Sequence, residues 1–224
     1  MSTFRARAIL FDMDGTLLDS NEASEITWQA WAKERGVPIE KIRAVHHGRR
    51  PEETIALVAP RLDALEEAKA IYASQLEITT GVCPIPGAKE FFTAVPDAAR
   101  AIVTAANQPI LEHRFRLVNL PVPKVCVTAT MLKNGKPDPE GYLLGARLVG
   151  HAPADCIVFE DAPAGLLAAK RAGIRSVAVL TNYTEAQLRE ELGADYEAVL
   201  AIGNYENLRI RNAETASGSF TIEA

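Results

Sequence analysis

The chain has 224 residues, a formal net charge of −5 and a hydrophobic content of 48%. This length and apolar content suffice for one large core, or for one domain with an insertion. The negative charge argues against a nucleic-acid or membrane-surface partner, and no apolar stretch reaches transmembrane length. The first residues lack the apolar stretch of a signal peptide, so we expect a cytoplasmic protein.

The first predicted strand is an apolar run, residues 8–11, that ends in two carboxylates, Asp12 and Asp14. In an extended chain, residues two apart point to the same side. Side-by-side carboxylates repel each other unless a cation lies between them, and oxygen ligands suit a hard ion such as Mg²⁺. Gly15 then allows the backbone to turn away. The pattern favours a functional strand end over a plain aspartate-rich turn.

Residues 18–80 contain helical patterns and no strand signal. Helices are predicted over residues 21–35, from Pro51 onwards, and over residues 63–77. This block follows the first strand directly, so we expect it to lie above Asp12 and Asp14, where a lid would lie. The predicted domains are a helical cap, residues 18–83, and a core made of residues 1–17 and 84–224.

After residue 86, predicted helices and apolar strands alternate. The helices cover 87–94, 109–118, 138–149, 163–172 and 184–193, and the strands cover 101–104, 125–128, 156–159, 176–180 and 198–201. Such alternation predicts an α/β fold with a doubly wound, Rossmann-like parallel sheet. The tail alternates polar and apolar residues over 208–211 and 220–222, which predicts a small edge hairpin.

Further polar groups follow the later strands. Thr104 ends the second strand before Ala105, and a hydroxyl with free backbone amides there can hold a phosphate; the alternative is an ordinary helix cap. Lys136 lies in a loop stiffened by glycine and proline, whereas most lone lysines are solvated. Glu160 and Asp161 end the fourth strand, and acids on two strand ends argue for a shared cation, although Asp161 could simply cap a helix.

Together these four motifs, at residues 12–16, Thr104, Lys136 and residues 160–161, resemble the haloacid dehalogenase superfamily of phosphohydrolases, over essentially the whole chain. The helical insertion resembles the cap of the β-phosphoglucomutase subgroup. Residues 47–50, 135–139, 159–165 and 212–215 are similar to yeast glycerol-3-phosphatases and 2-deoxyglucose-6-phosphatases, and residues 119–129 and 142–146 to bacterial sugar and hexitol phosphatases. One departure is visible: many relatives carry Ser and Gly where this chain has Ala105 and Ala106.

The resemblance implies a phosphatase for small sugar or polyol phosphates. Asp12 would attack phosphorus to form an aspartyl-phosphate, and Asp14 would protonate the leaving alcohol and then deprotonate the hydrolytic water. A phosphoglucomutase is the alternative, and it differs in how the cap excludes water. A dehalogenase is disfavoured because that chemistry does not need Asp14, and a non-catalytic binding protein is disfavoured because every core acid is present.

The resemblance also assigns the remaining groups. Mg²⁺ would bind Asp12, Asp161 and the backbone carbonyl of Asp14, with Glu160 beside these ligands rather than among them. Thr104, Ala105 and Lys136 would bind the phosphate.

In the cap, Arg50 is a candidate for the polar end of the substrate or else a solvated arginine. Trp28 is a candidate for stacking on a sugar or else for packing. His47 is a candidate for a substrate contact, although a structural role is favoured. We expect a monomer.

Overall fold

The computed structural model describes residues 3–212 and 218–224, apart from the side chain of Asn212. Its main helices and strands follow in chain order: β1 Thr3–Ala6, β2 Ala8–Phe11, β3 Leu18–Asp19, α1 Asn21–Arg35, α2 Ile39–Arg43, α3 Pro51–Val58, α4 Ala64–Glu77, β4 Cys83–Pro84, α5 Ala88–Ala94, β5 Arg100–Val103, α6 Gln108–Leu117, β6 Val125–Val127, α7 Glu140–Leu148, β7 Cys156–Glu160, α8 Pro163–Arg171, β8 Arg175–Val179, α9 Glu185–Leu192, β9 Leu200–Ile202, β10 Arg209–Asn212 and β11 Phe220–Glu223.

Within the described residues, a six-stranded parallel sheet has the strand order β6-β5-β2-β7-β8-β9. The chain leaves β2 for β5 and β6 on one side, and then returns to β7, β8 and β9 on the other. Helices α5 and α6 pack on one face, and α7 and α8 pack on the other. The predicted doubly wound α/β fold is confirmed. The reversal of strand order at β2 opens a crevice at its carboxyl end, where such sheets bind ligands.

A second sheet joins the two ends of the chain. Strand β11 pairs antiparallel with β1 on one side and with β10 on the other. The β10–β11 hairpin agrees with the predicted edge hairpin. Strand β1 was not predicted: its four residues do alternate between polar and apolar, but the run is short and pairs only with the distant β11. Residues 212–215 are part of the resemblance to yeast phosphatases, and residues 213–215 of this stretch lie outside the described residues.

The helical insertion has an apolar cluster of its own, which includes Trp28, Trp31, Ile42, Ile55 and Ile71. Helix α2 is an addition to the predicted elements. The two connections to the core also pair with each other: β3 and β4 form a short antiparallel ribbon in which Leu18 opposes Pro84 and Asp19 opposes Cys83. The proposed domain boundaries stay a prediction: β3 begins at one of them, and β4 spans the other.

An aromatic cluster lies under the carboxyl edge of the central sheet. Phe11 packs edge-on against Phe92 at a centroid distance of 5.2 Å, and Phe159 stacks on Tyr205 at 5.6 Å. The Tyr205 hydroxyl donates to the carbonyl of Thr16 over 3.0 Å, which fixes the loop after β2. These contacts hold the strand ends that carry Asp12 and Glu160. No helix in the described part of the chain is long and apolar enough to cross a membrane.

We predict that Phe92→Ala lowers the free energy of unfolding by about 3–5 kcal/mol, since it removes a fully buried ring and leaves a cavity. Urea unfolding followed by circular dichroism measures this. Leu65→Ala, at a side chain that is 70% exposed, is the control and should change the free energy by less than about 0.5 kcal/mol. Equal effects in the two variants would contradict the role of the aromatic cluster.

Candidate active site

The chemistry-bearing residues converge at the carboxyl edge of the central sheet. Asp12 follows β2, Thr104 follows β5, and Glu160 is the last residue of β7. The Asp12 amide continues the ladder by donating to the carbonyl of Phe159 over 3.0 Å. Because neighbouring parallel strands end at one edge, these residues lie around a common space.

Lys136 reaches this space from the loop between β6 and α7. Its ammonium lies 2.5 Å from Oδ1 of Asp12 and 2.5 Å from Oε1 of Glu160. Glu160 is fully buried and also accepts from the Tyr142 hydroxyl at 3.2 Å and from the Ala162 amide at 2.8 Å. Burial lowers the pKa of Lys136, but attraction to the two carboxylates outweighs it and raises the pKa above its ordinary value. Lys136 therefore stays charged at neutral pH.

Three buried carboxylates, Asp12, Glu160 and Asp161, bring oxygens within 4.8 Å of one another. Burial raises the pKa of Asp12 to about 7, although the Lys136 ammonium acts against the shift. Burial, together with repulsion from Glu160 and Asp12, raises the pKa of Asp161 well above its usual range. A divalent cation would relieve both effects, and an all-oxygen donor set suits Mg²⁺, so the residues present fit such an ion.

Asp161 is held in place from two sides. The Asn182 amide donates to its Oδ2 over 2.6 Å, and the Thr16 hydroxyl donates to its Oδ1 over 3.3 Å. Gly15 passes directly against it with φ of +78°, and a Cβ at this position would lie 2.2 Å from Oδ2 of Asp161. A side chain at position 15 is therefore excluded by both conformation and space.

The Asp14 carboxyl group has two partners of its own. Its Oδ1 accepts from the Ser20 hydroxyl at 2.7 Å, and its Oδ2 forms an ion pair with Nη1 of Arg114 at 2.5 Å. Ser20 precedes α1 of the insertion, whereas Arg114 belongs to α6 of the sheet-bearing part. Groups from both parts of the fold therefore fix the Asp14 carboxyl group.

The Thr104 hydroxyl accepts from the Ala106 amide at 3.0 Å, and this bond shapes the turn that follows β5. Thr104 and Ala105 line a cleft between the sheet edge and the helical insertion. The other lining residues are Asp12, Asp14, Gly15, Ser20, Asn21, Ser24, Trp28, His46, His47, Gly48, Arg49, Pro51, Gln75, Ala106, Arg114, Asp161 and Asn182.

The insertion rests on the sheet edge and covers this cleft. The Asn21 amide donates to Oδ1 of Asn182 over 2.6 Å, and the His47 ring lies 6.0 Å from that of Tyr183. Gly48 passes so close that a Cβ would lie 3.0 Å from Cβ of Ala162. The insertion thus occupies the position expected of a lid over Asp12.

Arg50 binds to the loop that carries Lys136. Its guanidinium pairs with Glu53 and donates to the carbonyls of Leu132 at 3.4 Å and Lys133 at 3.3 Å. Glu53 in turn accepts from the Gly135 amide at 3.0 Å. In this arrangement Arg50 links the insertion to the Lys136 loop, and its expected contact with a substrate stays a prediction.

Trp28 and His47 both line the cleft. Trp28 is 3% exposed and packs edge-on against Trp31 at 5.7 Å, in agreement with a packing role. The His47 ring lies 4.0 Å from that of His46, and burial lowers the pKa of both histidines. Both rings are therefore neutral at neutral pH, and substrate contacts by Trp28 and His47 stay predictions.

A family model of haloacid dehalogenase-like hydrolases matches residues 6–173. The chain belongs to the haloacid dehalogenase-like hydrolase family. The predicted resemblance is confirmed. The match covers Asp12, Thr104, Lys136 and Asp161, which the geometry has brought together, and it also spans the helical insertion.

Curated relatives of this haloacid dehalogenase-like hydrolase include three phosphatases. Hexitol phosphatase A of Escherichia coli strain K12 is 39% identical over 191 residues, which cover 83% of this chain and 88% of the relative. In Saccharomyces cerevisiae, 2-deoxyglucose-6-phosphate phosphatase 1 is 32% identical, with 88% of each chain covered. From the same yeast, glycerol-1-phosphate phosphohydrolase 2 is 30% identical, with 99% and 92% covered.

Solved structures support the fold of this haloacid dehalogenase-like hydrolase. The crystal structure of β-phosphoglucomutase from Clostridium difficile has a TM-score of 0.73 and is 20% identical, and the match covers 91% of this chain and 93% of that one. At this identity the likeness shows that the two chains share a fold.

Several cleft residues of this haloacid dehalogenase-like hydrolase escaped the sequence analysis, among them Ser20, Arg114 and Asn182. Asn182 follows β8, so the strand-end argument that found Asp161 applied to it as well. Arg114 had a weaker signal: it lies among Ile110, Leu111 and Phe115 on the buried face of α6, where an arginine needs a partner.

We predict that Gly165→Ala lowers kcat on any phosphate monoester by about tenfold to 10²-fold, because a ~1 Å shift of a catalytic group has such effects. A Cβ at position 165 would lie 1.7 Å from Oε1 of Glu160, which positions Lys136. Gly203→Ala is the matched control, since nothing lies within 4 Å of the added atom. Unchanged turnover in a folded Gly165→Ala variant would show that Glu160 can move without affecting the site.

Proposed function

We propose that this haloacid dehalogenase-like hydrolase is a Mg²⁺-dependent phosphatase that hydrolyses small sugar or polyol phosphate monoesters through an aspartyl-phosphate on Asp12. The observation that carries the proposal is the buried cluster in which Asp12 lies beside the Lys136 ammonium and within one cation's reach of Asp161. The names of the hexitol, deoxyglucose-phosphate and glycerol-phosphate relatives support the substrate class.

In the first step, an Asp12 carboxylate oxygen attacks phosphorus, and the bond to the leaving oxygen breaks. Asp14 supplies the proton that the leaving alkoxide takes up. Lys136, the Thr104 hydroxyl and the backbone amide of Ala105 bind the phosphoryl oxygens, since phosphoryl transfer depends mainly on positioning and charge neutralisation. A divalent cation held by Asp12, Asp161 and the backbone carbonyl of Asp14 would supply further positive charge to those oxygens.

In the second step, Asp14 takes a proton from water, which then attacks the aspartyl-phosphate and restores Asp12. Inorganic phosphate leaves through the cleft. The insertion contacts the sheet edge at Asn182 and Ala162, so it can exclude bulk water while the substrate is bound. Glu160 keeps Lys136 in place and does not react.

The cleft supports the proposed substrate class, as do the names of the relatives. Neutral polar side chains of the insertion, at Asn21, Ser24 and Gln75, line the cleft. Such groups suit the hydroxyls of a sugar or a polyol. The proposal includes a cytoplasmic monomer that acts on small molecules, in keeping with the net charge of −5.

We predict that Asp12→Asn lowers phosphate release by about 10⁴-fold or more, because removal of a covalent nucleophile has effects of that size. The assay uses glycerol 1-phosphate, hexitol phosphates, 2-deoxyglucose 6-phosphate and 4-nitrophenyl phosphate, scored by kcat/KM. Asp195→Asn, at an exposed carboxylate, is the matched control.

Near-normal turnover by a folded Asp12→Asn protein would rule out the proposed nucleophile. Conversion of β-glucose 1-phosphate to glucose 6-phosphate without release of phosphate would instead favour the mutase alternative.

We also predict that chelation by EDTA abolishes activity and that Mg²⁺ restores it. Ca²⁺ should inhibit, because it prefers a larger and more flexible oxygen shell. Phosphate release is measured after dialysis and after readdition of each ion. Full activity after exhaustive chelation would contradict a cation shared by Asp12 and Asp161.

A further inference from the structure

Arg114 is a buried cation at the edge of the proposed active site. The residue is 6% exposed, and it lines the cleft from helix α6. Its Nη1 lies 2.5 Å from Oδ2 of Asp14. Transfer of a guanidinium from water into a protein interior is unfavourable unless a partner charge compensates it. Asp14 provides that charge.

The two oxygens of Asp14 have different partners. Oδ2 faces the Arg114 guanidinium, which can only donate, whereas Oδ1 faces the Ser20 hydroxyl, which can donate or accept. An acidic proton on Asp14 would therefore reside on Oδ1, because a proton on Oδ2 would point at the guanidinium donors. Oδ2 is thus the oxygen that Arg114 binds, and Oδ1 is the oxygen that can carry and exchange a proton.

We propose that Arg114 is a positioning residue for the acid/base group Asp14: it binds Oδ2, fixes the orientation of the carboxyl group and directs Oδ1 to the leaving oxygen. This inference rests on the proposed function. In the step concerned, the bond from phosphorus to the leaving oxygen breaks and its electron pair stays on that oxygen. The Oδ1 proton of Asp14 then forms the new O–H bond, and Asp14 is left as a carboxylate paired with Arg114.

The leaving group provides a readout that a purely structural role would not affect. An alkyl alkoxide is a poor leaving group and needs the proton, whereas 4-nitrophenolate leaves readily without it. The value of kcat/KM covers only the steps up to formation of the aspartyl-phosphate, so it isolates this proton transfer when that step is irreversible. Loss of Asp14 orientation should therefore reduce hydrolysis of alkyl phosphates selectively.

The experiment compares Arg114→Met, Arg114→Lys and the control Arg116→Met, which alters an exposed arginine on the same helix. We expect Arg114→Met to lower kcat/KM for glycerol 1-phosphate by about 10²-fold and for 4-nitrophenyl phosphate by less than about threefold, within the usual range of general acid catalysis. Arg114→Lys should recover part of the loss, and Arg116→Met should change neither value.

A double-mutant cycle tests whether Arg114 acts through Asp14. In an Asp14→Asn background, Arg114→Met should cause little further loss on glycerol 1-phosphate, since the group that Arg114 orients is already absent. Fully additive losses would overturn the proposal. Circular dichroism and thermal melting establish that each variant is folded.

Other outcomes would also overturn it. Equal losses on both substrates would assign Arg114 to phosphate binding, and no loss on either would leave it without a role in the reaction. If neither Arg114 variant folds, the ion pair serves the stability of the fold instead. The wild-type rates in the same assay test the proposed function separately, because the inference concerns only the ratio between the two substrates.

Discussion

The charge balance around the Lys136 ammonium is the constraint on which the rest of the site depends. Lys136 lies between Asp12 and Glu160, and Asp161 completes a buried group of three carboxylates. Three negative charges and one positive charge leave a net charge of −2, which equals the charge that one divalent cation would compensate. Because buried charges are costly unless they are paired, the cluster needs the ammonium, and its remaining charge fits a divalent cation.

The sheet and the insertion both contribute to this balance. Parallel strands deliver Asp12 and Glu160 to one edge, and the aromatic cluster beneath holds those strand ends. Lys136, in contrast, comes from a loop, and that loop is bound by Glu53 and Arg50 of the insertion. Through these contacts the insertion helps to hold the loop that positions the ammonium.

Most of the fold could be predicted from local patterns. The alternation of apolar strands with helices was sufficient to predict the doubly wound sheet. The positions of Asp12, Thr104 and Asp161 after strands were sufficient to predict that they lie at one sheet edge. Features that depend on tertiary pairing were not predictable in this way: β1 acquires its strand conformation from β11, and β3 acquires its own from β4. Arg114 belongs to the same class, since only the folded chain places α6 beside Asp14.

The paired connections at β3 and β4 have an evolutionary consequence. Since Leu18 and Pro84 are held at the distance of neighbouring strands, residues 19–83 form a closed loop whose ends are fixed by the core. The entropy of closing such a loop changes slowly with its length, by about 0.6 kcal/mol for each doubling. The core can thus accept inserted segments of very different size at little thermodynamic cost, so selection can exchange the insertion without changing the residues at the sheet edge.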